Sequence, residues 1–278
     1  MSGTFSILRR VYEPLFVFST GRCGTQWLAD LLARAYGDRA LVAHEPIDSD
    51  YASREMFGVA APHELDPELA EPILEHVASI EETLATRAYI ECGHPLWSSL
   101  PYLLTRFPRA RVVHLVRHPV PTALSWITQS VYTPPLAPHW PEKILLSPFD
   151  AGVRFVEYRE RWNSLSPYEK ALYYWLEVNA LGLRLQKSAG VPWLRLRFED
   201  LVRGEGLESL LAFAGAESAL VERDEGESEV DAFHFVTTFW SDPRLIERHP
   251  EVLAVARALG YDPLAFDEAR LRERYAVG

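Results

Sequence analysis

The stretch "PLFVFSTGRCGTQWLADLLARAYG", Pro14 to Gly37, decides the fold. Leu15–Phe18 is a short unbroken apolar run, as expected of a strand covered on both faces. From Thr25 the period changes: Trp27, Leu28, Leu31, Leu32, Ala35 and Tyr36 share one helical stripe, and Gly37 is placed to stop it. Between strand and helix, Gly21 and Gly24 flank Arg22-Cys23. Such a turn leaves the first helical N–H groups unpaired and aimed at one spot. The helix dipole makes that spot electropositive, Arg22 adds a fork of donors, and Thr25 adds a hydroxyl. This chemistry suits a terminal phosphate or sulfate, although glycines also serve ordinary strand-to-helix turns. The Gly-Lys-Ser/Thr ending of an ATP loop is missing, because Thr25-Gln26 follows Gly24.

Working outward, apolar runs and helical patterns keep alternating, which predicts a parallel sheet flanked by helices. Strands are expected at Ala40–His44, Ala88–Cys92, Ala110–Val116 and Trp193–Phe198. Asp66 before Pro67 reads as the cap of a helix running to about Arg87, weakened early by Pro72. Helices are also expected in "LPYLLTRF", in "PTALSWI", from Ser166 with Glu169 in a capping box to about Ser188, and in "HPEVLAVARALG". "YTPPLAPHWPEK" is an irregular excursion, and "VERDEGESEVD" is a solvated acidic loop. No repeat or polar linker divides the chain. The expectation is a single domain, 1–278, with irregular acceptor-side or lid segments near 46–65 and 128–166.

Composition narrows the function. A hydrophobic content of 48% with 24% charged residues is that of a folded globular chain. No apolar stretch is long enough for a membrane span, and the N-terminus has no signal-peptide pattern. Two cysteines, Cys23 and Cys92, fit a reducing cytoplasm rather than a disulfide scaffold. A net charge of −11 argues against nucleic acid, yet local N–H groups and a few arginines can still hold a small anion.

A second motif supplies more of that chemistry. In "ARVVHLVRHPVPTALSW" a buried strand ends at Val116, Arg117 stands at its carboxyl end, and Ser125 follows eight positions later on a helix. Ligands of open parallel sheets bind at such strand ends, so Arg117 and Ser125 can grip a second phosphate, away from the first loop.

With both motifs in view, the chain resembles the sulfotransferases that use 3′-phosphoadenosine 5′-phosphosulfate (PAPS). "TGRCGTQWL" is similar to their loop for the 5′-phosphosulfate, and "HLVRHPVPTALSW" to their segment for the 3′-phosphate. "YWLEVNALGLRL" and "LRLRFEDL" resemble a later helix and strand, so the likeness spans about Phe16 to Val202. The resemblance implies an α/β fold, three-layer, with a central parallel sheet flanked by helices and P-loop NTPase-like. It implies that Arg22, Cys23, Gly24, Thr25 and Gln26 surround the 5′ side, that Trp27 stacks on adenine, and that Arg117 and Ser125 hold the 3′-phosphate. PAPS would be co-substrate and 3′-phosphoadenosine 5′-phosphate (PAP) product, with no metal required. Arg22 stands where many members carry lysine, Gln26 replaces a threonine, and Phe198 replaces a tyrosine. The glycine-rich C-terminal loop of the cytosolic members is not evident.

Sulfuryl transfer to a hydroxyl needs a proton acceptor. His94 in "YIECGHPLW" lies 23 residues before Arg117 and resembles the family's histidine base. Glu45 in "AHEP" is the rival, since other branches use a glutamate near the second strand, while His44 reads as structural. Arg22 would stabilise the leaving group. His114 and His118 are spaced four apart, but nothing completes a metal set. Trp126, Tyr132, Trp140, Tyr158 and Trp162 could line an acceptor pocket or simply pack. Cys23 at a helix start is either an oxidisable thiol of lowered pKa or a small spacer. The sequence reading is therefore a cytoplasmic sulfotransferase acting on a hydroxyl of a small molecule or glycan, without nucleic-acid or membrane partner. An ATP-dependent kinase-like enzyme and a non-catalytic PAP-binding protein are the alternatives.

Overall fold

The computed structural model describes residues 12–47, 54–59, 67–134, 142–216 and 240–276. Its centre is a five-stranded sheet of β1 (Leu15–Phe18), β2 (Ala40–His44), β3 (Ala88–Gly93), β4 (Arg111–Val116) and β5 (Trp193–Arg197). Every pairing is parallel, and the spatial order is β2-β3-β1-β4-β5. Val17 lies opposite Cys92 on one side and Val113 on the other, which makes β1 the middle strand.

Alternation along the strands divides the core into two layers. Leu15, Val17, Ile90, Cys92, Val113 and Leu115 face α1 (Thr25–Tyr36) and α7 (Leu207–Ala214). Phe16, Phe18, Val112 and Val116 face the larger layer of α2 (Pro67–Leu84), α3 (Leu96–Arg106), α4 (Pro119–Thr128), α5 (Pro167–Ser188), α8 (Pro250–Ala258) and α9 (Glu268–Tyr275). A side-chain period of two is what lets one strand serve both. The three-layer α/β expectation therefore stands.

The order of the strands places the site. From β1 the chain crosses to one side for β2 and β3, then to the other for β4 and β5. The connections thus diverge above the carboxyl end of β1, opening a crevice between the ends of β3 and β4. The loop Ser19–Gly24 sits at that point, with His94 after β3 and Arg117 after β4.

Several boundaries differ from the sequence reading. α2 ends at Leu84 rather than Arg87, and α3 starts at Leu96, four residues before the expected "LPYLLTRF", with Pro101 inside it. β5 stops at Arg197, and Phe198 opens a short helix, α6 (Phe198–Val202), instead of closing the strand. α7 was not anticipated, and α8 does not end the fold, because α9 follows it. Ser166 does cap α5: its Oγ accepts from Glu169 N–H (3.3 Å), and Glu169 Oε2 accepts from Ser166 N–H (2.9 Å). The cap at Asp66, Trp140 and the acidic run 221–231 lie outside the described residues. Among the described residues no helix is long and apolar enough to cross a membrane.

The excursion after α4 leaves through a closed neck. Tyr132 N–H donates to the Lys143 carbonyl (2.8 Å), while its phenol donates to the Leu146 carbonyl (2.6 Å) and accepts from Leu146 N–H (2.9 Å). Further on, Glu177 of α5 accepts the N–H groups of Arg154 and Phe155, which fastens the chain to the core before it re-enters α5.

Candidate active site

The loop after β1 has three consecutive demands on its backbone. Gly21, Arg22 and Gly24 all adopt positive φ, 72°, 56° and 74°. At Gly21 and Gly24 space is limiting as well. A Cβ on Gly21 would lie 2.6 Å from the Trp126 ring and 2.9 Å from His94 Cβ, and one on Gly24 would lie 2.7 Å from the Phe198 ring. The loop is pinned from below: Trp126 Nε1–H (3.1 Å) and the Tyr174 hydroxyl (3.0 Å) both donate to the Thr20 carbonyl. Ser19 Oγ accepts from Gly21 N–H at 2.9 Å.

Arg117 and Ser125 were expected away from this loop, but the structure sets both directly against Arg22. Ser125 is fully buried, and its Oγ accepts from Arg22 Nε–H at 2.9 Å. Arg117 is 7% exposed. It donates through Nη1 to the Arg22 carbonyl and through Nη2 to the Tyr275 hydroxyl (3.1 Å), and its guanidinium lies over the Phe198 ring at 5.0 Å. The Arg117 carbonyl is held by Trp175 Nε1–H (3.0 Å). Among the described residues no carboxylate ion-pairs with Arg117. A buried cation with only neutral partners is electrostatically incomplete, and an anion completes it. Arg22, assigned to the 5′ side, and Ser125, assigned to the 3′ side, are thus in direct contact.

On the opposite side of Gly21, the two rivals for the base are one unit. His94 Nδ1 lies 2.8 Å from Glu45 Oε1, which also faces His94 N–H at 3.4 Å. The carboxylate is brought there by a turn immediately after β2, where Glu45 takes φ 47° and its N–H donates to the Cys92 carbonyl (3.0 Å). Gly93 makes the approach possible, since a Cβ there would lie 2.7 Å from Glu45 Cγ. Burial pushes the Glu45 pKa up, but the hydrogen bond and charge of His94 outweigh it and hold it below its ordinary value. An ionised Glu45 accepts a hydrogen bond from Nδ1–H, the tautomer that leaves the lone pair on Nε2. Trp126 meets His94 edge-on at 5.3 Å.

The other expected residues fall into place unevenly. Thr25 is buried, and its Oγ1 lies 3.1 Å from His44 Nε2, so His44 ties the second strand to the start of α1. Burial lowers the His44 pKa, which suits that structural part. Gln26 turns along the exposed face of α1 to Asp30 Oδ1 (3.0 Å). Trp27 is half-buried against the α1 layer. Cys23 is fully buried, and burial raises its thiol to about 11, only partly offset by the Thr20 hydroxyl. The lowered-pKa reading of Cys23 is therefore corrected, because its Sγ points into the core and donates to the Gly21 carbonyl at 3.0 Å. Tyr132, Tyr158 and Trp162 are buried among one another and Tyr173, so they pack rather than line a pocket. His114 bonds Asn179 (3.1 Å) in the core, whereas His118 faces the Asp262 carbonyl (3.1 Å) and caps α4. Two residues were not anticipated in the site: Tyr275 and Glu199, whose carboxylate accepts from His118 N–H and Tyr261. Only the "FEDL" segment pointed toward Glu199, and nothing pointed to Tyr275.

No protein-family model matches the sequence, and no curated protein matches it. Among solved structures the chain is similar to a sulfotransferase from Alicyclobacillus acidocaldarius, with 16% identity over 94% of this chain and 98% of that one, at a TM-score of 0.50. It also matches the sulfotransferase domain of the Synechococcus PCC 7002 olefin synthase, with 19% identity over 96% of each chain and a TM-score of 0.45. A third match is mouse sulfotransferase SULT7A1 complexed with PAP, with 15% identity over 95% of this chain and 89% of that one, at 0.44. At such identities the likeness is one of fold: the parallel α/β architecture is that of the first of these sulfotransferases.

Proposed function

We propose that this chain is a PAPS-dependent sulfotransferase, a single domain over 1–278, that moves a sulfuryl group to a hydroxyl of a small molecule or glycan. The observation that carries the reading is the buried Arg117, which among the described residues meets only neutral groups and lies at the same strand-end crevice as the glycine loop and the His94–Glu45 pair. Arg117 and Ser125 are suited to a phosphate at one end. The N-terminus of α1, Arg22 and Thr25 are suited to a second anionic group. His94, against Gly21, is suited to the acceptor.

In the reaction the acceptor oxygen forms a bond to sulfur while the bond from sulfur to the 5′-phosphate oxygen breaks, giving PAP and a sulfate ester. His94 Nε2 takes the hydroxyl proton. Glu45 is a positioning residue: it fixes the tautomer and stabilises the imidazolium that forms. Arg22 supplies positive charge where the leaving phosphate gathers negative charge. The buried free thiols of Cys23 and Cys92 accord with a cytoplasmic location.

Calorimetric titration with PAP, and separately with ATP plus magnesium, tests the assignment. Tight PAP binding without added metal and weak ATP binding are expected. Arg117→Ala should weaken PAP far more than adenosine 5′-phosphosulfate, which lacks the 3′-phosphate. Preference for magnesium-ATP would replace the proposal with a kinase-like enzyme, and PAP binding without any transfer would leave a PAP-binding protein.

A further inference from the structure

The contact between α9 and Arg117 has no counterpart in the sequence reading. α9 is almost wholly polar, "EARLRERY", and only Leu271 and Tyr275 are buried on it. A helix of this length and polarity is marginal by itself and depends on its anchors. Asp267 Oδ1 caps it by accepting from Arg270 N–H (3.0 Å), Glu268 reaches Arg272 (3.6 Å) and Arg244 (3.8 Å), and Arg272 lies over Trp240 at 4.6 Å. These ties are exposed and contribute little each. The interior anchor at the far end is Tyr275, 2% exposed, whose hydroxyl accepts from Arg117 Nη2.

Resting on the sulfotransferase reading of Arg117, we infer that Tyr275 is a positioning residue of the 3′-phosphate site and makes α9 part of donor recognition. Two features of the contact support this. Arg117 is held at both Nη atoms, by the Arg22 carbonyl and by Tyr275, with Phe198 under its plane. Removing the phenol oxygen frees one of these holds, so the fork no longer has a single orientation. The phenol oxygen accepts from Arg117 and still carries its own proton, for which no acceptor is found among the described residues. A phosphate oxygen at Arg117 is a charged acceptor for that proton, and hydrogen bonds to charged groups are the stronger kind. Tyr275 thus orients the guanidinium and adds a donor of its own.

The test is Tyr275→Phe, which keeps the ring and removes the hydroxyl. Titrations of wild type and variant with PAP and with adenosine 5′-phosphosulfate should show PAP weakened by about tenfold and the other ligand by less than about twofold, within the scatter expected of distant effects. Equal weakening of both ligands, with a lowered melting temperature, would mean that Tyr275 only packs, and would overturn the inference. An unchanged ratio between the ligands would overturn it as well. If wild type itself does not favour PAP over adenosine 5′-phosphosulfate, the reading of Arg117 falls first and the inference with it, so the two failures are told apart by the unmutated protein. Should the variant not fold, hydrogen exchange on wild type replaces it. By linkage PAP must slow exchange at Leu271–Tyr275 and adenosine 5′-phosphosulfate must not; equal protection by both counts against Tyr275.

Discussion

At the Arg117 end of the site the arginine is gripped by partners on several elements, whereas at the His94 end one carboxylate does most of the holding. Arg117 is fixed by the loop after β1, by α9, by Phe198 and, through its carbonyl, by α5. His94 depends on Glu45, itself on a strained turn with φ 47° and a quarter exposed. Under the proposed function the difference makes binding and chemistry separable: the donor end is built into the core, while the base end is a local pair that can fail without disturbing it.

His94→Ala offers the sharpest break. Transfer should fall by about 10²- to 10⁴-fold in a rate assay, with PAP affinity by calorimetry unchanged to within about twofold. Loss of PAP binding would show that the two ends are not separable. Gly21→Ala comes next and should injure both, since the added Cβ meets Trp126 and His94 at a residue of positive φ. A thermal melt should register a loss of about 1–3 kcal/mol, with both binding and transfer reduced; a neutral effect would mean the loop opens freely.

Glu45→Gln should be milder, lowering transfer about tenfold, the low end of what a positioned proton-transfer group supplies. It also has a pH signature. The folded-state pKa of Glu45 lies below its ordinary 4.5, so its carboxylate contributes stability that is full above that value and is lost as pH falls through the folded value. The stability gap between wild type and variant should therefore shrink in melts taken below about pH 4.5 and stay constant above it. Smallest of all is Cys23→Ala, expected to leave transfer within about threefold, since only a small buried side chain changes. Wild-type Cys23, buried with its thiol raised to about 11, should resist iodoacetamide at pH 8 in the folded protein. Rapid alkylation would restore an exposed thiolate.

The frame was legible because it depends on short-range patterns. "LFVF", "RVVHLV" and the stripe of α1 carry their periods within one element, and the glycines at 21 and 24 advertise the turn. That Arg117 stands at a strand end suited to a ligand followed from the rule for strand ends, but its contact and that of Ser125 with the first loop did not, since the pair was expected away from it. The pairing of Glu45 with His94 was out of reach, because it joins residues on two neighbouring strands through one left-handed turn, and the two read as competitors. Phe198 looked like the end of a strand because its ring is apolar, yet it turns into α6 to pack under Arg117 and against Gly24. α9 was missed because it has no apolar stripe, only two anchors set four apart, and its partner Arg117 is 158 positions away.

The neck at Tyr132 has a consequence for how the chain can vary. The phenol and the amide of Tyr132 tie it to Leu146 and Lys143, so the points where the chain leaves and returns are fixed to each other. Once ends are joined, doubling a loop costs only about 0.6 kcal/mol more. Residues there can be lengthened, shortened or exchanged at little expense to the fold. Under the proposed function this segment flanks the acceptor, so that side is open to rapid divergence, while the donor side, welded into strands and helices, changes slowly.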